Sequence, residues 1–293
     1  ITIRRFRRDP WTVTDFNNSG TSSPALMALL WLSMEYELNM LVSGGTGSGK
    51  TTLLNVLLPF IQPNQRVLTI EDTRELTLPD FLHWVPMTTR EPNAEGKGSV
   101  TMLDLLVNSL RMRPDRIIVG EVRRQREAEV MFEAMHTGHS VYATVHANTA
   151  DETITRLISP PIEIAPSLLE AVHLNVVMFR NRRLGVRRIL QLAEFVPVKG
   201  GSEGKTQLKP NILFRWRAAT DTIEKYSESI RLFDELSLHT GYTPQEINQN
   251  LSEKQKILEW MIQEKIRDIN EVGKVMAEYY SEPNAVLKRA GIR

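Results

Sequence analysis

Apolar and polar positions along the chain fall into two textures. Up to about Val198, short unbroken apolar runs alternate with stretches of helical periodicity. Met40-Leu41-Val42, Arg66 to Ile70, Arg116 to Val119 and Val141 to Val145 read as buried strands, with Met102 to Arg111 and Glu127 to Met135 as helices between them. Ser22-Ser23-Pro24 should open another helix, with a serine cap and a proline in its first turn, running to about Glu37. This alternation predicts an α/β fold, a mainly parallel sheet covered by helices.

After Val198 the pattern changes. Lys199-Gly200-Gly201-Ser202-Glu203-Gly204 reads as a flexible turn, and Leu208 to Tyr226 as a small hairpin or extended segment. Helices dominate the rest. Thr243-Pro244-Gln245-Glu246 is a capping box with proline at the first helical position, and Leu258, Met261, Ile262, Ile266 and Ile269 mark an apolar helical stripe. The stripe reads as a small helical subdomain packed on the core.

One local pattern carries chemistry. Gly44-Gly45-Thr46-Gly47-Ser48-Gly49-Lys50-Thr51 matches G-x-x-x-x-G-K-[ST], with the Met40 strand entering it and the apolar helix Thr52 to Leu58 leaving it. The pattern arises by accident in a chain this long about once in a hundred, and its flanks lower that further. Its glycines turn consecutive backbone N–H groups toward phosphates, Lys50 adds a point charge, and Thr51, followed by Thr52, offers a hydroxyl to Mg²⁺. The chain therefore reads as a binder of a nucleoside triphosphate.

Composition narrows the class. The 293 residues are 41% hydrophobic, enough for a large domain or a domain with an appendage. Cysteine is absent, so no disulfide framework or thiolate zinc site is available. The longest apolar stretch, Ala25 to Met34, is too short to span a bilayer. Net charge is +1, far from the strongly basic balance of a nucleic-acid domain. Ile1 to Arg8 reads as an edge strand cut from something larger.

In open parallel sheets, ligands bind at the carboxyl ends of the strands. There the sequence places the glycine loop, Glu71-Asp72, Gly120-Glu121 and His146-Ala147-Asn148-Thr149. Phosphoryl transfer needs one carboxylate to orient or deprotonate water and another to arrange Mg²⁺ and its waters, and Glu71 and Glu121 fit those roles. Gly120 stands where an aspartate is usual. His146 is either a core histidine or a donor sensing the γ-phosphate. His139 and His146 flank a strand, roughly 20 Å apart, so one metal cannot join them, and His136 adds nothing to that. His139 reads as structural or as part of a relay between the two ends of the sheet.

Arg111 and Arg113 precede the Glu121 strand, at the end away from the phosphates. With Arg90 they are candidates for an interface site acting on a neighbouring subunit, or else ordinary surface arginines. Arg180, Arg182, Arg183, Arg187 and Arg188 form the densest basic patch, read as a solvated turn and hairpin ahead of a docking face.

Taken together, Gly44 to Thr52, Thr69-Ile70-Glu71-Asp72-Thr73-Arg74-Glu75-Leu76, Leu110 to Asp115 with Ile118-Val119-Gly120-Glu121-Val122-Arg123, and Thr137-Gly138-His139 with Thr144 to Asn148 resemble the type II/IV secretion ATPases, the archaeal branch above all. Gly120 before Glu121 is that family's usual form. The resemblance implies a hexameric ring of RecA-like P-loop domains, each preceded by a mobile N-terminal domain. Such a ring powers secretion or the assembly of pili or archaella from the cytoplasmic face, against a polytopic membrane platform protein. Glu71 would lie in an aspartate box, Glu121 in the second nucleotide motif, touching Mg²⁺ through water, and His139 and His146 in a histidine box. The expected division is residues 1–15 as the stub of a missing N-terminal domain, 16–198 as the RecA-like ATPase domain and 199–293 as a mostly helical subdomain.

ATP is the expected substrate, with Mg²⁺ as cofactor and no other small-molecule substrate. Guanine readers usually carry Asn-Lys-x-Asp, which is absent, so a GTP switch ranks last. A RecA-like nucleic-acid motor is the alternative. Near-neutral charge and the lack of aromatic residues within the basic run count against it, so no nucleic acid is expected.

Overall fold

The structure, a computed structural model, describes residues 9–199 and 206–292. The expected strand at Ile1 to Arg8 and most of the turn after Lys199 lie outside them. The chain opens with α1 (Val13–Asn18), α2 (Pro24–Glu35), β1 (Met40–Gly44) and α3 (Lys50–Leu57), then β2 (Arg66–Glu71) and β3 (His83–Thr88). It continues through α4 (Met102–Ser109), β4 (Arg116–Val119), α5 (Gln125–His136), β5 (Ser140–Val145) and α6 (Ala150–Ile158). Strands β6 (Leu174–Asn181), β7 (Val186–Lys199), β8 (Thr206–Arg217) and β9 (Thr222–Lys225) follow, and α7 (Leu232–Thr240), α8 (Pro244–Gln263), α9 (Ile269–Ser281) and α10 (Pro283–Arg289) close the chain.

The nine strands of the described residues form one sheet in the order β3-β2-β4-β5-β1-β6-β7-β8-β9. From β3 to β6 every neighbouring pair is parallel, and from β6 to β9 every pair is antiparallel. The inner parallel strands are covered on both faces, so β1, β4 and β5 are buried at every position and read as largely apolar runs. After β1 the chain crosses to β2 on one side, while β6 lies on the other. That reversal leaves a crevice at the carboxyl end of β1, where such sheets bind ligands.

Helix α2 accounts for the apolar Ala25 to Met34 stretch. Its residues Leu26 to Met34 are all buried, as a helix apolar all round requires. Ser23 caps it by accepting from the Leu26 N–H at 3.4 Å. Trp31 of α2 stacks on Phe60 at 5.4 Å between ring centroids. The closing helices share this core: Lys254 of α8 is fully buried, paired with Glu35 at 2.8 Å, and donates to the Tyr279 hydroxyl at 3.1 Å. Removing one partner of a buried pair like this costs about 3–5 kcal/mol.

Two sequence expectations are corrected. The stripe Leu258, Met261, Ile262, Ile266 and Ile269 is split between helices, because α8 stops at Gln263, Lys265 adopts φ +56° and Asp268 caps α9 through the Asn270 and Glu271 N–H groups. The basic run does form a turn and hairpin, β6–β7, but it is not wholly solvated, because Arg188 is buried and joined to Asp221 at 2.7 Å. The Leu208 to Tyr226 segment does form a hairpin, β8–β9, and adds it to the main sheet.

Candidate functional site

The glycine loop runs from the end of β1 to the first turn of α3, at the crevice. Two of its glycines are obligatory. Gly44 has φ +150°, and a Cβ there would collide with the Ser48 hydroxyl and the Met178 carbonyl of β6. Gly49 caps α3 in the left-handed region at φ +103°. The loop wraps around Lys50, whose Nζ donates to the carbonyls of Gly44 at 2.9 Å and Gly45 at 3.4 Å. Burial lowers the Lys50 pKa, and the charge of Glu121 works against that shift.

The parallel strands bring the other predicted residues to the same edge. His146, just past β5, places its Nε2 3.1 Å from the Thr46 hydroxyl. His139 lies at the other end of β5, half-buried, with Nδ1 3.3 Å from the Thr137 hydroxyl. Among the described residues, no group of three or more His, Cys, Asp or Glu is arranged to hold a metal ion.

Glu71 ends β2 and is only 3% exposed. Its Oε1 accepts from the N–H groups of Glu75 at 2.9 Å and Leu76 at 3.1 Å, while its Oε2 is buried with no hydrogen-bond partner. Burial raises its pKa, and the two N–H groups only partly offset that. Glu121, two strands from β1, is held quite differently: Arg123 donates to its Oε2 from Nε at 2.8 Å and Nη2 at 2.5 Å, and from Nη1 to Asp72 at 3.0 Å. Gly120 separates the two acids. A Cβ there would lie 3.3 Å from the Ile70 carbonyl oxygen and 3.6 Å from the Glu71 Cγ, which gives a packing reason for glycine before Glu121.

The three candidate interface arginines lie away from the loop of their own chain. Arg111 and Arg113 are exposed at the amino end of β4, Arg113 at φ +52°. Arg90 follows β3, where its Nε donates to the Gly98 carbonyl at 2.6 Å. Strand β3 is four places from β1, about 19 Å at the usual strand spacing.

Beside the loop opens a cavity of about 450 Å³, lined among others by Trp11, Phe16, Thr51, Thr52, Met178 and Arg187. Its size suits a small organic ligand. Trp11 and Arg123 carried no site role in the sequence, and Arg187 was read only as part of the basic patch. Trp11 and Arg187 are remote from the loop along the chain and reach it only by folding, whereas Arg123 follows Glu121 by two positions and its charge was the available signal. Oxygen donors for Mg²⁺ are also present: Thr51, which carries a hydroxyl, lines this cavity, and the Glu121 carboxylate is near enough to Lys50 for their charges to interact. A hydroxyl with a carboxylate acting through water fits the coordination Mg²⁺ takes.

Fold and site together define an α/β protein with a RecA-like core and a helical carboxyl-terminal part. The family model for type II/IV secretion system proteins matches residues 1–190, and the chain belongs to this family of secretion ATPases. It is 35% identical over 289 residues to the uncharacterized protein MJ0900 of Methanocaldococcus jannaschii, a match covering 96% of this chain and 51% of that protein. The chain thus spans about half of that relative's length. It is 38% identical over 134 residues to VirB11 of Agrobacterium fabrum, covering 46% of this chain and 38% of that protein. Among solved structures, the VirB11 ATPase of the Brucella suis type IV secretion system, in complex with sulphate, aligns with a TM-score of 0.50 and 29% identity, over 62% of this chain and 54% of that one. No helix among the described residues is long and apolar enough to cross a membrane.

Proposed function

We propose that the chain hydrolyses ATP and works as a homo-hexameric motor for secretion or for pilus or archaellum assembly. It acts at the cytoplasmic face of the membrane against a polytopic platform protein. The observation that carries this reading is the convergence of the Lys50 loop, Glu71, Glu121 and His146 on one edge of the sheet. Residues 16–198 would form the ATPase domain, 199–293 a mostly helical subdomain and 1–15 the stub of an N-terminal domain.

In this reading the loop N–H groups and Lys50 bind the phosphates, and the cavity beside Thr52 takes the adenosine. Thr51, with Glu121 through water, would hold Mg²⁺, which supplies charge compensation on the β- and γ-phosphates. Water attacks the γ-phosphorus as the bond to the β,γ-bridging oxygen breaks, and Glu71 accepts its proton, leaving ADP and inorganic phosphate. A carboxylate shifted upward by burial suits a base, because a higher proton affinity makes it a better acceptor. His146 couples the strand end to the loop through Thr46, and His139 marks the far end of the same strand. Arg90, Arg111 and Arg113 serve a neighbouring subunit's nucleotide, since their own loop is out of reach.

The test is ATP hydrolysis per protomer over a range of protein concentration, with and without single-stranded DNA. A steep rise with concentration and indifference to DNA is expected. Concentration-independent, DNA-stimulated activity would replace this reading with a nucleic-acid motor.

A further inference from the structure

Strand β6 pairs with β1 in parallel, Met178 opposite Gly44, so the β6–β7 hairpin rises beside the glycine loop. Its turn is braced by local bonding: the Asn181 side-chain oxygen accepts from the N–H groups of Arg183 at 3.0 Å and Leu184 at 3.1 Å. Arg188 then anchors the returning strand. Only 6% exposed, it makes a two-pronged pair with Asp221 at 2.7 Å for each contact and donates to the Ser19 carbonyl at 3.2 Å. The Ile189 N–H adds a bond to the Thr21 carbonyl at 2.8 Å.

Arg188 is fixed in its ion pair, and Arg187, next to it on the strand and lining the same cavity, reaches over the loop. Its Nε donates to the Gly47 carbonyl at 3.1 Å, and its side chain lines the cavity with Gly49, Thr51 and Thr52. The Arg187 Cδ packs over Gly49, 3.5 Å from where a Cβ would lie. Unlike Arg188, Arg187 has no acidic partner among the described residues, and its Nη1 and Nη2 make no hydrogen bond among them. A guanidinium on a rigid mount, with donors open beside a phosphate-binding loop, is suited to an anionic ligand.

We propose that Arg187 is a nucleotide-binding residue of the same subunit, holding the phosphates nearest the Thr51–Thr52 turn, which ADP and ATP share. This rests on the nucleotide reading above and adds a specific ligand to it. Because the contacted phosphates are common to substrate and product, Arg187 contributes to binding and not to the chemical step. Arg188 is its positioning residue.

The experiment is titration of ADP, ATP and adenosine into wild type, Arg187→Ala, Arg187→Lys and the double variant Arg182→Ala/Arg183→Ala at the exposed turn, with kcat and KM for ATP measured in parallel. Arg187→Ala should weaken ADP and ATP alike, by about tenfold, as expected for loss of a charge-assisted contact. It should leave adenosine binding unchanged, raise KM and keep kcat within about twofold. Arg187→Lys should recover part of the loss, and the double variant should match wild type. Unchanged ADP and ATP affinity in Arg187→Ala, a loss confined to ATP, or an equal loss in the double variant would each overturn the proposal while leaving the nucleotide reading intact. A wild-type protein that binds neither ADP nor ATP would overturn both.

Discussion

The carboxyl ends of β2 and β4 are neighbours in the sheet and each presents a glutamate, yet their surroundings are opposed. Glu71 is packed away from water, one oxygen satisfied by backbone N–H groups and the other without a partner, and its pKa is raised by burial. Glu121 has a side chain 24% exposed and is gripped by Arg123, which also holds Asp72. The first environment suits a proton acceptor; the second fixes a carboxylate in direction. Place in the topology brings both acids to the site, but the role of each follows from what touches it.

The largest expected effect comes from separating those roles. Glu71→Gln should keep nucleotide affinity and lower single-turnover cleavage by about a thousandfold, within the range of a lost general base. Glu121→Gln should also bind nucleotide and stop multiple turnover, but it should raise the Mg²⁺ concentration needed for half-maximal single-turnover cleavage; an unchanged Mg²⁺ requirement would reverse the assignment. Next in size is Arg123→Ala, which frees Glu121 and should cost about tenfold in kcat, with Arg123→Lys restoring only part because it lacks the planar fork. Gly120→Ala should be milder: the new Cβ crowds the Ile70 carbonyl beside Glu71, and a stability loss of about 1 kcal/mol, read from denaturant midpoints, is expected.

The smallest effect extends the contrast to the other end of the sheet, where burial acts on a base. His173 accepts the Asn39 N–H at Nδ1 (2.9 Å), and burial, reinforced by the charge of Arg231, lowers its pKa from 6.5 to about 4. The unfolded chain therefore binds this proton first. His173 contributes stability above pH 6.5 that is lost as pH falls toward 4, and His173→Gln should flatten that limb of thermal midpoint against pH. An unaltered limb would show that other groups set the acid sensitivity.

What the sequence disclosed followed from how local each signal was. The glycine loop is a contiguous pattern, and β1, β4 and β5 announce themselves because both faces are covered. Strand β3 gives no such signal: it is an edge strand, largely unburied, with Pro86 inside it. The break between α8 and α9 was hidden by an apolar spacing that continues across it, and it depends on one left-handed residue, Lys265. At the site, Glu71, Glu121 and His146 could be placed by strand ends alone. The hold of Arg123 on Glu121, the unpartnered oxygen of Glu71 and the approach of Arg187 to Gly47 depend on side-chain directions and on segments far apart in the chain, which spacing does not encode.

The most direct test of the account is the pH dependence of single-turnover ATP cleavage in wild type, Glu71→Gln and Glu121→Gln. The expected result is an acid limb in wild type that titrates above the ordinary glutamate value of 4.5, persists in Glu121→Gln and vanishes from the residual rate of Glu71→Gln. An acid limb that survives in Glu71→Gln and disappears in Glu121→Gln would contradict the assignment and make the Arg123-bound carboxylate the base.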